Sequence, residues 1–142
     1  MEKYLNNIEL ELKTIKNYLD KEKLRSKKVY VAHEYGRRHG LRDSELERNT
    51  WLSVCVGREL INKGYFPFIP NLYHFVHKDW DDSPDETIYF NLVSSWIYDC
   101  GSLLVAREPK WEHSGVHREI IIAESIPIPV YRNLADLPNI RE

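Results

Sequence analysis

The chain lacks the sequence features that are typical of disulfide-rich, membrane-bound or nucleic-acid-binding proteins. Its 142 residues include two cysteines and one methionine, and the formal net charge is only −2. Cys55 and Cys100 lie in apolar stretches and indicate buried thiols rather than a disulfide framework. A balance this close to neutral gives no field strong enough to predict a nucleic-acid polymer as a partner, although it leaves room for a local basic patch. We find no signal peptide, lipidation motif or membrane-spanning run, and therefore expect a soluble, cytoplasmic protein with no membrane partner.

The first 27 residues have a helical pattern that differs from the rest of the chain. Apolar residues recur there at spacings of three and four, with Lys and Glu on the other faces: Leu5, Ile8, Leu12, Ile15 and Leu19. This pattern predicts an amphipathic helix over residues 1–27, ahead of one α/β domain over 28–142. About two heptads are marginal for an independent coiled coil. The stripe therefore either packs on its own domain or contacts another subunit of a homo-oligomer.

From Lys28 onward, short apolar runs alternate with longer, more polar helical stretches. The predicted strands are Val29–Ala32, Phe66–Pro70, Ser102–Ala106 and Ile128–Tyr131, and the predicted helices are Ser44–Asn62, Asp85–Tyr98 and Gly115–Ser125. In the first of these helices the residues expected to face the sheet are Leu46, Trp51, Leu52, Val54, Cys55, Leu60 and Ile61. Strands that alternate with helices imply right-handed crossovers and a parallel sheet.

Polar, aromatic and cationic side chains follow the predicted strand ends. They include His33, Glu34, Tyr35 and Arg37 after the first strand, Asn71, Tyr73, His74 and His77 after the second, and residues 107–114 after the third. Ligands of parallel α/β sheets bind beyond the carboxyl ends of the strands. Imidazoles, rings and arginines near helix N-termini suit a ligand with a planar base, a sugar and an anionic group.

Glu119 is the carboxylate with the most suggestive surroundings. Ser114 and Gly115 supply a helix cap and a tight turn, and Glu119 follows about one helical turn later, directly before Ile120. A carboxylate next to a run of isoleucines is expected to be desolvated, which raises its pKa and suits it to nucleophilic or acid–base chemistry. The alternative is an ordinary solvated helix residue.

Several runs in this order resemble one family. They are KVYVAH (28–33), GYFPFIPNLYH (64–74), the stretch from Trp96 through CGSLL (100–104), SGVHRE (114–119) with Ala123, and IPVY (128–131). Together they resemble the nucleoside 2-deoxyribosyltransferase-like superfamily, and within it the small DUF4406 branch of bacteria and phages. The resemblance covers roughly residues 28–137 and leaves out the N-terminal helix.

The resemblance implies a flavodoxin-like or Rossmann-like, commonly oligomeric domain that cleaves or transfers the N-glycosidic bond of deoxynucleosides or their monophosphates. The glutamate that attacks the sugar C1′ in that family corresponds to Glu119, and the tyrosine beside it to Tyr30. A phosphate would lie near Arg37 or Arg38 and Ser114. We predict no cofactor and no resident metal, and the predicted ligand-binding residues are His33, Tyr35, Arg37, Arg38, Asn71, Tyr73, His74, Trp111, Ser114 and Gly115.

The sequence departs from the family pattern at two positions where an Asp is usual. Val93 stands on the helix before the third strand, and Gly101 opens that strand. A missing acid favours an alternative function, a non-catalytic nucleotide-binding protein that acts as a sensor or sequesters a nucleotide-derived signal.

Three further side-chain hypotheses come from single residues or pairs. His113 and His117 are four residues apart, a spacing that can hold a metal when both are helical, but His113 precedes the helix. Trp96 is expected in the core, with stacking on a ligand as the alternative. Trp111 is expected either to cover or stack on a ligand or to make an oligomer contact.

Overall fold

The centre of the protein is a parallel four-stranded sheet, seen in a computed structural model that describes residues 1–18 and 20–142, with side chains described for 1–16 and 20–142. Its strands are β1 (Lys28–Ala32), β2 (Phe66–Phe68), β3 (Ser102–Val105) and β4 (Val130–Tyr131). The strand order is β2-β1-β3-β4, with Val29 opposite Pro67 on one side and Ser102 on the other. The predicted parallel α/β fold is confirmed, and this order is that of the first four strands of a flavodoxin-like sheet.

Helices cover both faces of the sheet. They are α1 (Glu2–Tyr18), α2 (Lys21–Lys27), α3 (Asp43–Asn62), α4 (His74–His77), α5 (Glu86–Ser94) and α6 (Gly115–Ser125), with 3-10 turns at Arg37–His39, Pro70–Tyr73, Ser95–Asp99 and Leu134–Asp136. The predicted bounds of α6 are confirmed, whereas the predicted helix Asp85–Tyr98 is α5 followed by a 3-10 turn. None of the helices in the described part of the chain is long and apolar enough to cross a membrane.

The two faces of the sheet bury separate apolar clusters. Tyr30 and Leu103 point to the face covered by α6 and pack with Val116, whereas Val31 and Leu104 point to the opposite face. This alternation follows from the two-residue period of a strand. Burial on both faces is typical of parallel sheets and makes β1 and β3 continuous apolar runs.

The predicted buried face of α3 is largely wrong. The residues that it buries are Leu46, Thr50, Ser53, Gly57 and Leu60. Trp51, Leu52, Cys55 and Ile61 are exposed. A Cβ at Gly57 would lie 2.4 Å from Cδ1 of Ile69, so close packing selects the small residues of the helix. Small side chains, rather than the largest apolar ones, therefore face the sheet.

Trp96 is also placed differently from its prediction. It is half-exposed and stacks on Phe68, with ring centroids 5.4 Å apart, so it covers the edge of the core instead of filling it.

The predicted helix over residues 1–27 is two helices. The Asp20 side chain caps α2 by accepting a hydrogen bond from the Lys23 N–H (3.1 Å). The end of α2 lies against Gly101, where a Cβ would come within 2.3 Å of the Arg25 carbonyl oxygen, and Arg25 Nε donates to the Cys100 carbonyl (3.3 Å). The close approach of α2 thus explains why a glycine stands at residue 101.

The apolar stripe of α1 does not pack on its own domain within the part of the chain that the structure describes. Leu5, Leu12 and Ile15 are each more than half exposed, and Ile8 is partly exposed. Leu19, the last residue of the predicted stripe, lies outside the described residues.

Candidate functional site

A cavity opens where the loops after β1, β2 and β3 meet, and it holds about 820 Å³ of empty space including its open mouth. The strand order reverses between β1 and β3, which makes this edge the usual ligand site of a parallel sheet. The cavity wall includes Glu119 and all ten predicted ligand-binding residues: His33, Tyr35, Arg37, Arg38, Asn71, Tyr73, His74, Trp111, Ser114 and Gly115.

Glu119 lies at the inner end of this cavity. The Ser114 hydroxyl caps α6 by accepting a hydrogen bond from the His117 N–H (3.3 Å), and Glu119 follows one turn later with 6% of its surface exposed. Burial raises the pKa of Glu119 from its usual 4.5 to about 8, against smaller opposing effects of Tyr30 and Arg118. The expected desolvation is confirmed, and a pKa of about 8 favours the protonated carboxyl group at neutral pH.

Tyr30 lies behind Glu119 in the sheet. It is fully buried and is not part of the cavity wall. Burial first, and the neighbouring Glu119 second, raise the pKa of Tyr30 well above its usual value of 10. Within the described residues, neither Tyr30 Oη nor Glu119 Oε2 has a hydrogen-bond partner of good geometry. Tyr30 is therefore placed to influence the Glu119 carboxyl group and not to contact a ligand.

The helix α5 forms a wall of the cavity that the strand-end pattern did not predict. Four residues on one face of α5 line the cavity: Glu86, Tyr89, Phe90 and Val93. Val93, where the sequence resemblance would place an acid, is buried and forms an apolar part of the wall. Asn91 and Asp99, two polar residues nearby in sequence, are exposed and do not line the cavity.

Tyr35 connects two histidines at the other side of the cavity. Its hydroxyl lies 2.5 Å from His74 Nδ1 and also within hydrogen-bond distance of His77 Nε2. His74 is almost fully buried, and its Nε2 has no partner among the described residues. Burial lowers the pKa of His74 and of His77, and it raises the pKa of Tyr35. At neutral pH both rings are therefore neutral and the phenol is protonated.

Two other predicted ligand-binding residues, His33 and Asn71, contact the backbone of the loop after β1. His33 Nδ1 lies 2.8 Å from the Glu34 carbonyl oxygen, and Asn71 Nδ2 donates to the same oxygen (3.1 Å). The Glu34 carboxylate in turn accepts a hydrogen bond from the Lys110 N–H. These contacts join the loops after β1, β2 and β3 beneath the cavity.

The cavity mouth is bounded by cations and aromatic rings. Arg38 Nη2 donates to the His113 carbonyl (2.8 Å), and Trp111 stacks on His39 with centroids 4.2 Å apart. These contacts tie the loop after β1 to the loop after β3. Trp111 is thereby held in the cavity wall, half-buried against His39.

Arg118 is a cavity residue that sequence reasoning did not assign to the site. Its guanidinium lies 3.9 Å from the centroid of the Phe90 ring, and its buried Nε has no partner among the described residues. Its place directly before Glu119 in the sequence is the signal that could have identified Arg118.

The metal hypothesis for His113 and His117 gains no support from the fold. His113 has a left-handed backbone (φ 56°) ahead of α6, so the two rings do not share a helical face. Among the described residues, no group of three or more His, Cys, Asp or Glu side chains is placed to hold a metal ion.

Neither a model of a known protein family nor a curated protein or a solved structure matches the chain. The fold and the cavity are therefore the basis for a function, and the family resemblance stays a prediction.

Proposed function

We propose that the protein binds a nucleoside or nucleotide in this cavity and cleaves or transfers its N-glycosidic bond, with Glu119 as the nucleophile. The observation that carries the proposal is a buried carboxyl group on the wall of a cavity lined by imidazoles, aromatic rings and arginines. The resemblance to the nucleoside 2-deoxyribosyltransferase-like superfamily supports the same chemistry.

The reaction requires a carboxylate below the sugar ring. Glu119 attacks C1′ through an oxocarbenium-like transition state, and the base leaves with the electron pair of the N-glycosidic bond. Water or a second base then resolves the glycosyl ester. Glu119 has to lose its proton first, and Tyr30 and Arg118 both favour the ionised form. Positive charge that develops on the sugar favours it further.

The cavity has distinct groups for the two ends of such a ligand. The rings of Trp111 and Tyr89 provide faces for a planar base. Arg37, Arg38 and the amino end of α6 at Ser114 provide donors for a phosphate. A deoxynucleoside monophosphate is therefore the favoured ligand.

We also propose that the protein is a homo-oligomer in which the stripe of α1 contacts a second copy. The exposed Leu5, Leu12 and Ile15 lie on a helix of two heptads, which is marginal when it stands alone in water.

A non-catalytic nucleotide-binding protein is the second candidate function. Two observations favour it: Val93 occupies the position of the family acid on the cavity wall, and Glu119 is protonated at neutral pH. Such a protein would use the same cavity without turnover.

Release of free base distinguishes the two functions. We expect the wild-type protein to release base from members of a panel of deoxynucleosides and monophosphates, measured by chromatography. Glu119→Gln should abolish release and keep ligand binding, whereas Glu124→Gln, an exposed carboxylate on the same helix, should leave release unchanged. Turnover by Glu119→Gln within about tenfold of wild type would exclude the nucleophile role. Binding without release by the wild type would support the second function.

A further inference from the structure

The Tyr35 hydroxyl is shared between two imidazoles that come from a different part of the chain. It has one proton, so it can donate to only one of the two rings, and the other ring must donate to it. His74 Nε2 is buried without a partner, and an N–H at that position would be left unsatisfied. The neutral arrangement that avoids this places the protons as His74 Nδ1–H to Tyr35 Oη, and Tyr35 Oη–H to His77 Nε2.

One additional proton changes the direction of the Tyr35 hydroxyl. If His77 Nε2 is protonated, both rings donate to Tyr35 Oη, and the phenolic hydrogen has no acceptor within the cluster. Tyr35 lines the cavity, so this hydrogen turns towards the space that a ligand would fill. The protonated cluster of Tyr35, His74 and His77 is thus a proton donor aimed at the cavity.

We propose that Tyr35, supported by His74 and His77, protonates the departing base and replaces the acid that is missing at Val93. This inference rests on the proposed function. Tyr35 is the group that contacts the base, whereas His74 and His77 act through it as positioning residues. Val93 and the cluster line the same cavity, which makes the replacement spatially possible.

The step balances in protons and charge. The Glu119 carboxylate forms a bond to C1′ as the N-glycosidic bond breaks, and the bond's electron pair moves to the base. The base takes the proton of Tyr35 Oη, and Tyr35 Oη takes the proton of His77 Nε2. The cluster changes from +1 to neutral, and Glu119 changes from −1 to a neutral ester. The neutral cluster is then the arrangement described above.

The proton that the cluster needs is the one that the Glu119 carboxyl group holds before the reaction. At neutral pH the raised pKa of Glu119 favours one proton on its carboxyl group, and the lowered pKa values of His74 and His77 favour a neutral cluster. Moving that proton to His77 produces the reactive pair without uptake from solvent. The singly protonated site predominates between the lowered pKa of the histidines and the pKa of Glu119, about 8. The charged or titratable groups that face the cluster are Arg37, Asp43, Glu47, Lys78, Glu86 and Tyr89.

A comparison of two substrates shows whether Tyr35 is a general acid or has only a structural role. A purine deoxynucleoside needs protonation of its base, whereas its N7-methyl derivative releases a neutral base without it. We expect Tyr35→Phe to lower kcat on the first substrate by about 10²–10⁴, as is typical for loss of a general acid. Its kcat on the second substrate should stay within about tenfold of wild type. Tyr98→Phe removes a hydroxyl outside the cavity and should leave both rates unchanged.

The pH dependence of kcat/KM gives an independent readout. With the unmethylated substrate we expect a bell-shaped profile whose high-pH fall follows the pKa of Glu119. With the N7-methyl substrate only Glu119 has to be ionised, so the rate should rise and stay high above about pH 8. A high-pH fall with both substrates would contradict the relay.

The remaining outcomes separate the relay from the function on which it rests. An equal loss on both substrates in Tyr35→Phe would overturn the relay and leave Glu119 as the nucleophile. Release of base by the wild type from the N7-methyl substrate alone would do the same, because the protein would then have no acid. Failure of the wild type to release base from either substrate would overturn the relay together with the proposed function.

Discussion

Replacing Glu119 by Gln should change how the stability of the protein depends on pH. Burial raises the pKa of this carboxyl group from 4.5 to about 8. The folded protein therefore binds the proton more tightly than the unfolded chain does. The resulting stabilisation is complete below pH 4.5 and is lost as the pH rises to about 8. At about 1.4 kcal/mol for each pH unit, the loss between these limits amounts to about 5 kcal/mol.

Urea unfolding at several pH values between 4.5 and 8 measures this loss. Gln cannot ionise, so the stability of Glu119→Gln minus that of the wild type should rise by about 1.4 kcal/mol per pH unit over this window. The buried histidines, whose pKa values are lowered, act with the opposite sign as the pH rises towards 6.5. They are common to both proteins and cancel in the difference. Glu124→Gln should give a flat difference, and a flat difference for Glu119→Gln would refute the desolvation argument.

Three further changes test other parts of the structure. Replacing Arg37 and Arg38 together by Ala should remove the preference for a monophosphate over its nucleoside, about 1–3 kcal/mol by calorimetry, and equal affinities in the wild type would argue against a phosphate site. Gly101→Ala should lower the free energy of unfolding by about 1–3 kcal/mol, because the new methyl group meets the Arg25 carbonyl, and an unchanged melting curve would contradict that contact. Removal of residues 1–19 should lower the subunit count in light scattering, and an unchanged count would exclude α1 as the oligomer contact.

Local signals predicted the elements that have clear ends. Ser114 caps α6, and Gly115–Ser125 has the bounds that the sequence indicated. The apolar run around Tyr30 is the buried central strand. The face of α3 could not be predicted from apolar residues, because Thr50 and Ser53 satisfy their hydroxyls on nearby carbonyls and can be buried. The break near Asp20 has only one local signal, a capping side chain within a charged segment.

The strand-end rule located the cavity, but it could not find groups that arrive from helix faces. Tyr89 and Arg118 belong to α5 and α6 and come to the cavity through tertiary packing. Tyr35 contacts His74 and His77, which follow it in the sequence by 39 and 42 positions. The contact therefore depends on how β1 and β2 align. No periodicity in the sequence encodes that distance.

The junction of α2 with β1 has a practical consequence for handling the protein. Lys27 leads directly into Lys28 at the amino-terminal edge of the sheet, and the loops that form the cavity leave from the opposite edge. A surface anchor or affinity tag joined directly ahead of α2, in a protein that begins at residue 20, would therefore be attached near the edge of the sheet opposite the cavity loops. A biosensor chip loaded in this orientation would leave Trp111 and the surrounding loops facing the flowing ligand.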